Sequence, residues 1–115
     1  MNFEISEAND VTTAILPGRA LDASNARDFK ATASALVKPN VKLVLDMTNL
    51  EFVDSTGLGA LVSCLRQVHA AKGEIKLCRL TKPVRALFEL VRMHRVFDIF
   101  NTRDEAVKAF RGTAP

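Results

Sequence analysis

Short apolar stretches of strand and helix character alternate along the chain, and two strands open it before the first helix, which predicts an α/β fold. The sheet is expected to be mixed, with four to five strands and about four helices packed mainly on one face. A third observation sets the direction of the inner strands. Residues 41–46 and 74–80 are separated by a helix-length crossover, which makes them parallel with a right-handed connection. The chain has 115 residues, 48% hydrophobic and 25% charged. That is the make-up of one globular domain, expected over residues 1–115.

Taken in order, Phe3, Ile5 and then residues 11–16 read as two strands joined by a turn at Asn9-Asp10. Pro17-Gly18 stops the second. Asp22 or Ser24 can cap a helix running to about Val37, with Ala26, Phe29, Ala33 and Leu36 along one stripe. Lys38-Pro39-Asn40 ends it. The mostly apolar stretch 41–46 reads as a central strand covered on its helix-bearing face. Leu58, Leu61, Val62, Leu65 and Val68 are spaced for the inner face of a second helix, with Gly73 suited to its C-terminal cap. Residues 74–80 alternate as a strand. Thr81 is placed to cap a third helix that carries Pro83 in its first turn and turns Val84, Leu87, Phe88 and Val91 inward. Residues 96–100 read as a last short strand, and Thr102 opens a final helix holding Ala106, Val107 and Phe110. No linker, repeat or low-complexity stretch interrupts this order.

Composition excludes several functions. The longest apolar runs are a few residues, as in Leu43-Val44-Leu45, so no membrane insertion is expected. The acidic start has neither the basic head nor the apolar block of a signal peptide, which predicts a cytoplasmic protein. Cys64 and Cys78 form no CxxC and have no His at ligand spacing, so neither a disulfide scaffold nor a metal site is expected; both read as small buried residues. The net charge of +3 divides unevenly. Residues 1–65 carry 5 basic and 8 acidic side chains (−3), and residues 66–115 carry 11 and 5 (+6). The basic residues are scattered and there is no Trp or Tyr to stack on bases, so no direct nucleic-acid binding is expected. Arg79, Lys82, Arg85, Arg92 and Arg95 read as a solvated face, with a second partner face as the alternative.

One stretch reads as a site. Phe52-Val53-Asp54-Ser55-Thr56-Gly57-Leu58-Gly59 follows a central strand and opens a helix, the place where open α/β sheets gather ligands. Catalytic readings fail on chemistry. A dinucleotide fingerprint lacks its third glycine, since Val62 stands there, and a phosphate loop lacks its lysine. A nucleophile elbow lacks its first glycine, because Val53 occupies that position. His69 lies about three turns down the same helix, out of reach of Ser55. An aspartic-protease pair lacks its second carboxylate. No catalytic residue and no cofactor are therefore expected. Two readings remain open on spacing alone. Asp54 or Ser55 is simply the helix cap, or Ser55 accepts a phosphate that the helix N-terminus tolerates and that rewrites the local surface.

These residues resemble the STAS domain family, most closely its free-standing bacterial anti-sigma-factor antagonists. The resemblance runs over nearly all of the chain. It is most specific from Leu43-Val44-Leu45-Asp46 through Asp54-Ser55-Thr56-Gly57-Leu58-Gly59, where the family shows Asp-Ser-Ser/Thr-Gly-Leu-Gly, with support from Gly18 to Asp22 and Gly73. It implies that Ser55 is phosphorylated by a partner anti-sigma factor, a serine kinase with an ATPase fold, and that a phosphatase resets it. It further implies partner switching: the unmodified form binds the kinase and releases a sigma factor, and phosphorylation breaks that complex. Asp22, Asp54, Thr56, Gly57, Leu58 and Gly59 would frame the partner-binding surface. The alternative is a docking subunit of a membrane complex, such as a lipid-trafficking ABC transporter, without phosphorylation. Arg92-Met93 replaces the Gly-Leu common in the family, so a positive φ at residue 92 would strain an arginine.

Overall fold

Strand β1 (Glu4–Ala8) folds back onto β2 (Val11–Ile15) through Asn9 and Asp10, both at positive φ, 55° and 68°. Two successive left-handed residues give the hairpin turn whose twist matches the strands, and Asn and Asp tolerate that conformation best among residues with a side chain. The structure is a computed structural model describing residues 1–111, with side chains through Phe110, so the last four residues of the expected domain lie outside it. After β2 come β3 (Ala20–Leu21), α1 (Ala26–Ser34), β4 (Lys42–Asp46), β5 (Phe52–Val53) and α2 (Ser55–Ala70). Then follow β6 (Glu74–Cys78), α3 (Lys82–Leu90), a 3-10 turn at Met93–Arg95, β7 (Asp98–Phe100) and α4 (Arg103–Arg111).

The main sheet runs β1-β2-β4-β6-β7, antiparallel only at its first pair. The predicted mixed sheet and four helices are what the chain forms. Side chains alternate across the pleat. Ala14, Leu43, Leu45, Ile75 and Leu77 join Phe29, Ala33, Leu61, Val68 and Phe88 of α1, α2 and α3 in the larger core. On the other face Val11, Val44 and Cys78 meet Ala106 and Phe110 of α4. Helix α4 is opened by a reciprocal cap: the Glu105 amide donates to the Thr102 hydroxyl, and Glu105 Oε1 accepts from the Thr102 amide, both at 3.1 Å.

The structure corrects several local expectations. Helix α1 begins at Ala26 and ends at Ser34, short of Val37, and neither Asp22 nor Ser24 caps it. Asp22 instead turns its carboxylate to the Ser24 amide and hydroxyl. Asn25 ties the turn together, accepting from the Asp22 amide and donating to the Ala20 carbonyl. A self-satisfied turn leaves no side chain free for the helix amides. At the end of α2 the left-handed residue is Lys72 (φ 62°), not Gly73. Gly73 is required for another reason: a β-carbon there would lie 2.4 Å from the Val41 carbonyl oxygen. Thr81 precedes α3 without capping it, because its hydroxyl donates to the Leu50 carbonyl at 2.6 Å. Strand β6 stops at Cys78, where Arg79 takes φ 60°, and β7 starts at Asp98 after the 3-10 turn.

Arg92 does adopt φ 62° between α3 and that turn. Replacing it by glycine is expected to raise stability by about 0.5 kcal/mol, the left-handed strain removed less the entropy glycine adds to the unfolded chain. The measurement is the urea midpoint, and a lower midpoint for Arg92→Gly would contradict this account.

Candidate functional site

The hydroxyl pair sits on a small platform that the sequence did not announce. β3 and β5 form a two-stranded parallel pair, Ala20 opposite Phe52 and Leu21 opposite Val53. The Arg19 carbonyl accepts from the Glu51 and Phe52 amides, and the Leu21 carbonyl accepts from the Asp54 amide. This fixes the backbone just ahead of α2 beyond the C-terminal ends of the parallel strands.

Asp54 resolves the first question left by the spacing: it is the cap. Its Oδ1 accepts from the Gly57 amide at 2.8 Å and its Oδ2 from the Ala23 amide at 3.2 Å. One carboxylate thus closes α2 and fastens the Asp22 turn to it. Ser55 is consequently free of capping duty. It and Thr56 are exposed, and neither hydroxyl takes a hydrogen bond among the described residues. A hydroxyl that stabilises nothing at home is available to a visiting enzyme.

The two glycines of the motif differ. Gly57 is buried, and a β-carbon on it would fall 2.0 Å from the Leu21 carbonyl oxygen, so it lets α2 press against β3. Gly59 is exposed, and a β-carbon on it would meet nothing within 4 Å. Leu58 is half-buried and packs partly against the core. Asp22 is also half-buried, and the Ser24 hydroxyl and then its amide hold the Asp22 carboxyl below its ordinary range. Between α1 and α2 runs an open groove of ≈ 490 Å³ lined by Ala23, Arg27, Lys30, Thr56 and Gly59 among others.

Sequence reasoning gave two groups here no role of their own. Phe52, three residues before Ser55, is 55% exposed. An aromatic ring left in water on a rigid platform is the kind of residue that anchors protein interfaces. Arg27 and Lys30 were read only as part of a helix, and no local pattern shows that their helix faces Thr56.

Elsewhere the expected roles divide. Cys64 and Cys78 are buried; burial pushes the Cys64 thiol up to about 11, and burial followed by the Asp46 carboxylate pushes Cys78 up to about 12. Both thiols stay protonated at neutral pH and are poor nucleophiles. Of the suggested basic face, Arg79 pairs with the fully buried Asp46 at 3.5 Å and Arg85 donates to Asn101, whereas Lys82, Arg92 and Arg95 are exposed. Among the described residues no three His, Cys, Asp or Glu side chains gather to hold a metal ion, and no helix is long and apolar enough to cross a membrane.

Residues 2–106 match the STAS domain family. The chain belongs to it. Among its relatives, BtrV of Bordetella bronchiseptica, to which an anti-sigma factor antagonist role is ascribed, is 29% identical over the whole of this chain and 99% of its own. The anti-sigma-B factor antagonist of Listeria monocytogenes is 27% identical over 91% of this chain and 93% of its own. A crystal structure from Thermotoga maritima, of a protein to which the antagonist role is also ascribed, superposes with a TM-score of 0.85 at 26% identity. That likeness covers 95% of this chain and 94% of the other. The two chains therefore share one fold over nearly their whole lengths.

Proposed function

We propose that this STAS protein is an anti-sigma factor antagonist that works in the cytoplasm, without enzymatic activity of its own, by switching partners through phosphorylation of Ser55. The observation that carries the reading is the division of labour at the start of α2: Asp54 caps the helix, and the Ser55 hydroxyl is left exposed and unbonded. In the unmodified state the surface around Asp22, Asp54, Thr56, Leu58 and Gly59 binds an anti-sigma serine kinase of ATPase fold, which then releases its sigma factor. Ser55 Oγ attacks the γ-phosphorus of ATP held by that kinase. The Oγ–P bond forms, the bond to the β–γ bridging oxygen breaks, ADP leaves, and the hydroxyl proton passes to a base of the kinase. The product carries about −1.5 to −2 extra charges next to Asp54. The fold tolerates them, because a helix N-terminus accommodates negative charge. A phosphatase returns the hydroxyl.

The test compares wild type with Ser55→Asp, both immobilised and exposed to lysate of the native cell, with retained proteins identified by mass spectrometry and their affinities then measured. Aspartate is itself compatible with a helix start, so the variant is expected to keep its fold. An ATPase-fold kinase held by wild type and at least about tenfold more weakly by the variant, a difference of 1.4 kcal/mol, is the expected result. A transporter ATPase held equally by both would overturn the switch and favour a docking subunit.

A further inference from the structure

The groove between α1 and α2 has features that the fold itself does not use. Arg27 and Lys30 stand three residues apart on α1, hence on one face of it. They line the groove together with Thr56 and Gly59, and both are exposed. Neither has an ion-pair or hydrogen-bond partner among the described residues. The carboxylate that could have neutralised them, Asp28, turns away to the N-terminal ammonium at 3.0 Å. Gly59 makes the same point from the other wall. Glycine inside a helix costs roughly 0.5–1 kcal/mol relative to alanine, yet no neighbour would obstruct a side chain there and its φ is not left-handed. What the missing side chain preserves is the open space of the groove.

We propose that this groove receives the phosphate of modified Ser55, with Arg27 and Lys30 holding the dianion within the same chain. The inference rests on the phosphorylation of Ser55 proposed above and says where its charge goes. Asp54 already occupies the Gly57 amide, and its carboxylate stands beside the new charge, so the helix start tolerates the phosphate but offers no cation to hold it. The cations are the complementary groups: a guanidinium offers a planar pair of N–H donors to two phosphate oxygens, and an ammonium adds a point charge. Ser55 immediately precedes Thr56, which forms part of the groove wall. Once engaged, the phosphate fills the groove and withdraws two positive charges from the surface a partner meets. The signal then needs no rearrangement of α2.

The test uses the full chain with phosphoserine installed at position 55 during synthesis, so it does not depend on any kinase. The phosphate's second ionisation, near pH 6 for a free phosphoserine, is followed by phosphorus NMR at low ionic strength. The carboxylates of Asp54, next to Ser55 in sequence, and of Asp22, in the turn that Asp54 fastens, are the same in every variant, so differences between variants isolate the cations. Arg27→Gln/Lys30→Gln is expected to raise the midpoint by about half a pH unit or more, and added salt should shrink the gap. Arg66→Gln, on an exposed cation further along α2, should leave it in place. Circular dichroism checks that these surface variants are folded. An unchanged midpoint in the double variant, or an equal shift from Arg66→Gln, would overturn capture in the groove. Either result leaves the switching reading to its own binding test, which reads the partner.

Discussion

Gly57→Ala is expected to lose about 3 kcal/mol of folding stability or more, whereas Gly59→Ala, two residues along the same helix, should gain about 0.5–1 kcal/mol. The difference follows from what each missing side chain faces. At Gly57 the added carbon would sit 2.0 Å from the Leu21 carbonyl oxygen and 2.7 Å from its carbon. Those are backbone atoms of β3, held by pairing with β5, so they cannot swing aside as a flexible side chain would. Relief requires α2 to lift from the platform, which also pulls the Gly57 amide away from Asp54. Since a domain of this size holds about 5–15 kcal/mol in all, the loss is a large fraction of its stability. At Gly59 nothing is met, and only helix propensity changes. Urea denaturation of the two variants checks both signs at once. Equal midpoints would mean that the β3–α2 contact is looser than the structure has it.

The same pair of glycines shows how far the sequence could be read. Apolar patterning located every helix and all five strands of the main sheet. The helices bury one face and repeat near 3.6 residues. Strands β2 and β4 are buried on both faces and stand out as apolar runs, and β1 is exposed along its length and is placed by its turn into β2. The pair β3–β5 was invisible: two residues are too few to show a period, and their pairing joins positions about thirty residues apart. Caps were the weakest point, since Asp22, Ser24 and Thr81 all have capping chemistry and each spends it on a nearer or better-placed partner. At the candidate site, Asp54 and Ser55 were legible as a pair, but which of them caps depended on geometry. The cations facing Thr56 belong to a different helix, and only the packing of α1 beside α2 brings them there. Lys76 is the clearest surprise. It lies in a central strand, buried, paired with Asp98 at 3.0 Å and 4.8 Å from the ring of Phe110. A lysine in a strand pattern reads as solvent-facing, and here α4 covers that face.

Asp46→Asn is expected to cost about 2–3 kcal/mol and to loosen α4 before any other helix. Asp46 ends β4 with no exposed surface, and its carboxylate gathers three elements. Oδ1 accepts from the Thr48 amide at 3.0 Å, and Oδ2 meets Arg103 of α4 at 3.2 Å and Arg79, just after β6, at 3.5 Å. Removing one partner of a buried pair typically costs 3–5 kcal/mol. The figure is lower here because both arginine side chains are more than a third exposed, 37% and 44%, and can turn back to water. The effect should concentrate in α4 because its apolar cluster is small: Ala106 and Phe110 against Val11, Val44 and Cys78, with Phe100 and Val107 partly buried beside them. Helices α1 to α3 share the far larger core on the opposite face. An element held by few apolar contacts opens at lower free energy than the rest of the molecule, and the ion cluster at Arg103 pins its first turn. Amide hydrogen exchange gives the readout. In Asp46→Asn the amides of 103–111 should exchange faster by a larger factor than those of α1 and α2, while Arg79→Ala, which leaves the Arg103 contact intact, should change them little. Uniform acceleration in all four helices would instead show that Asp46 supports the sheet as a whole, through Thr48 and the end of β4, and not the docking of α4.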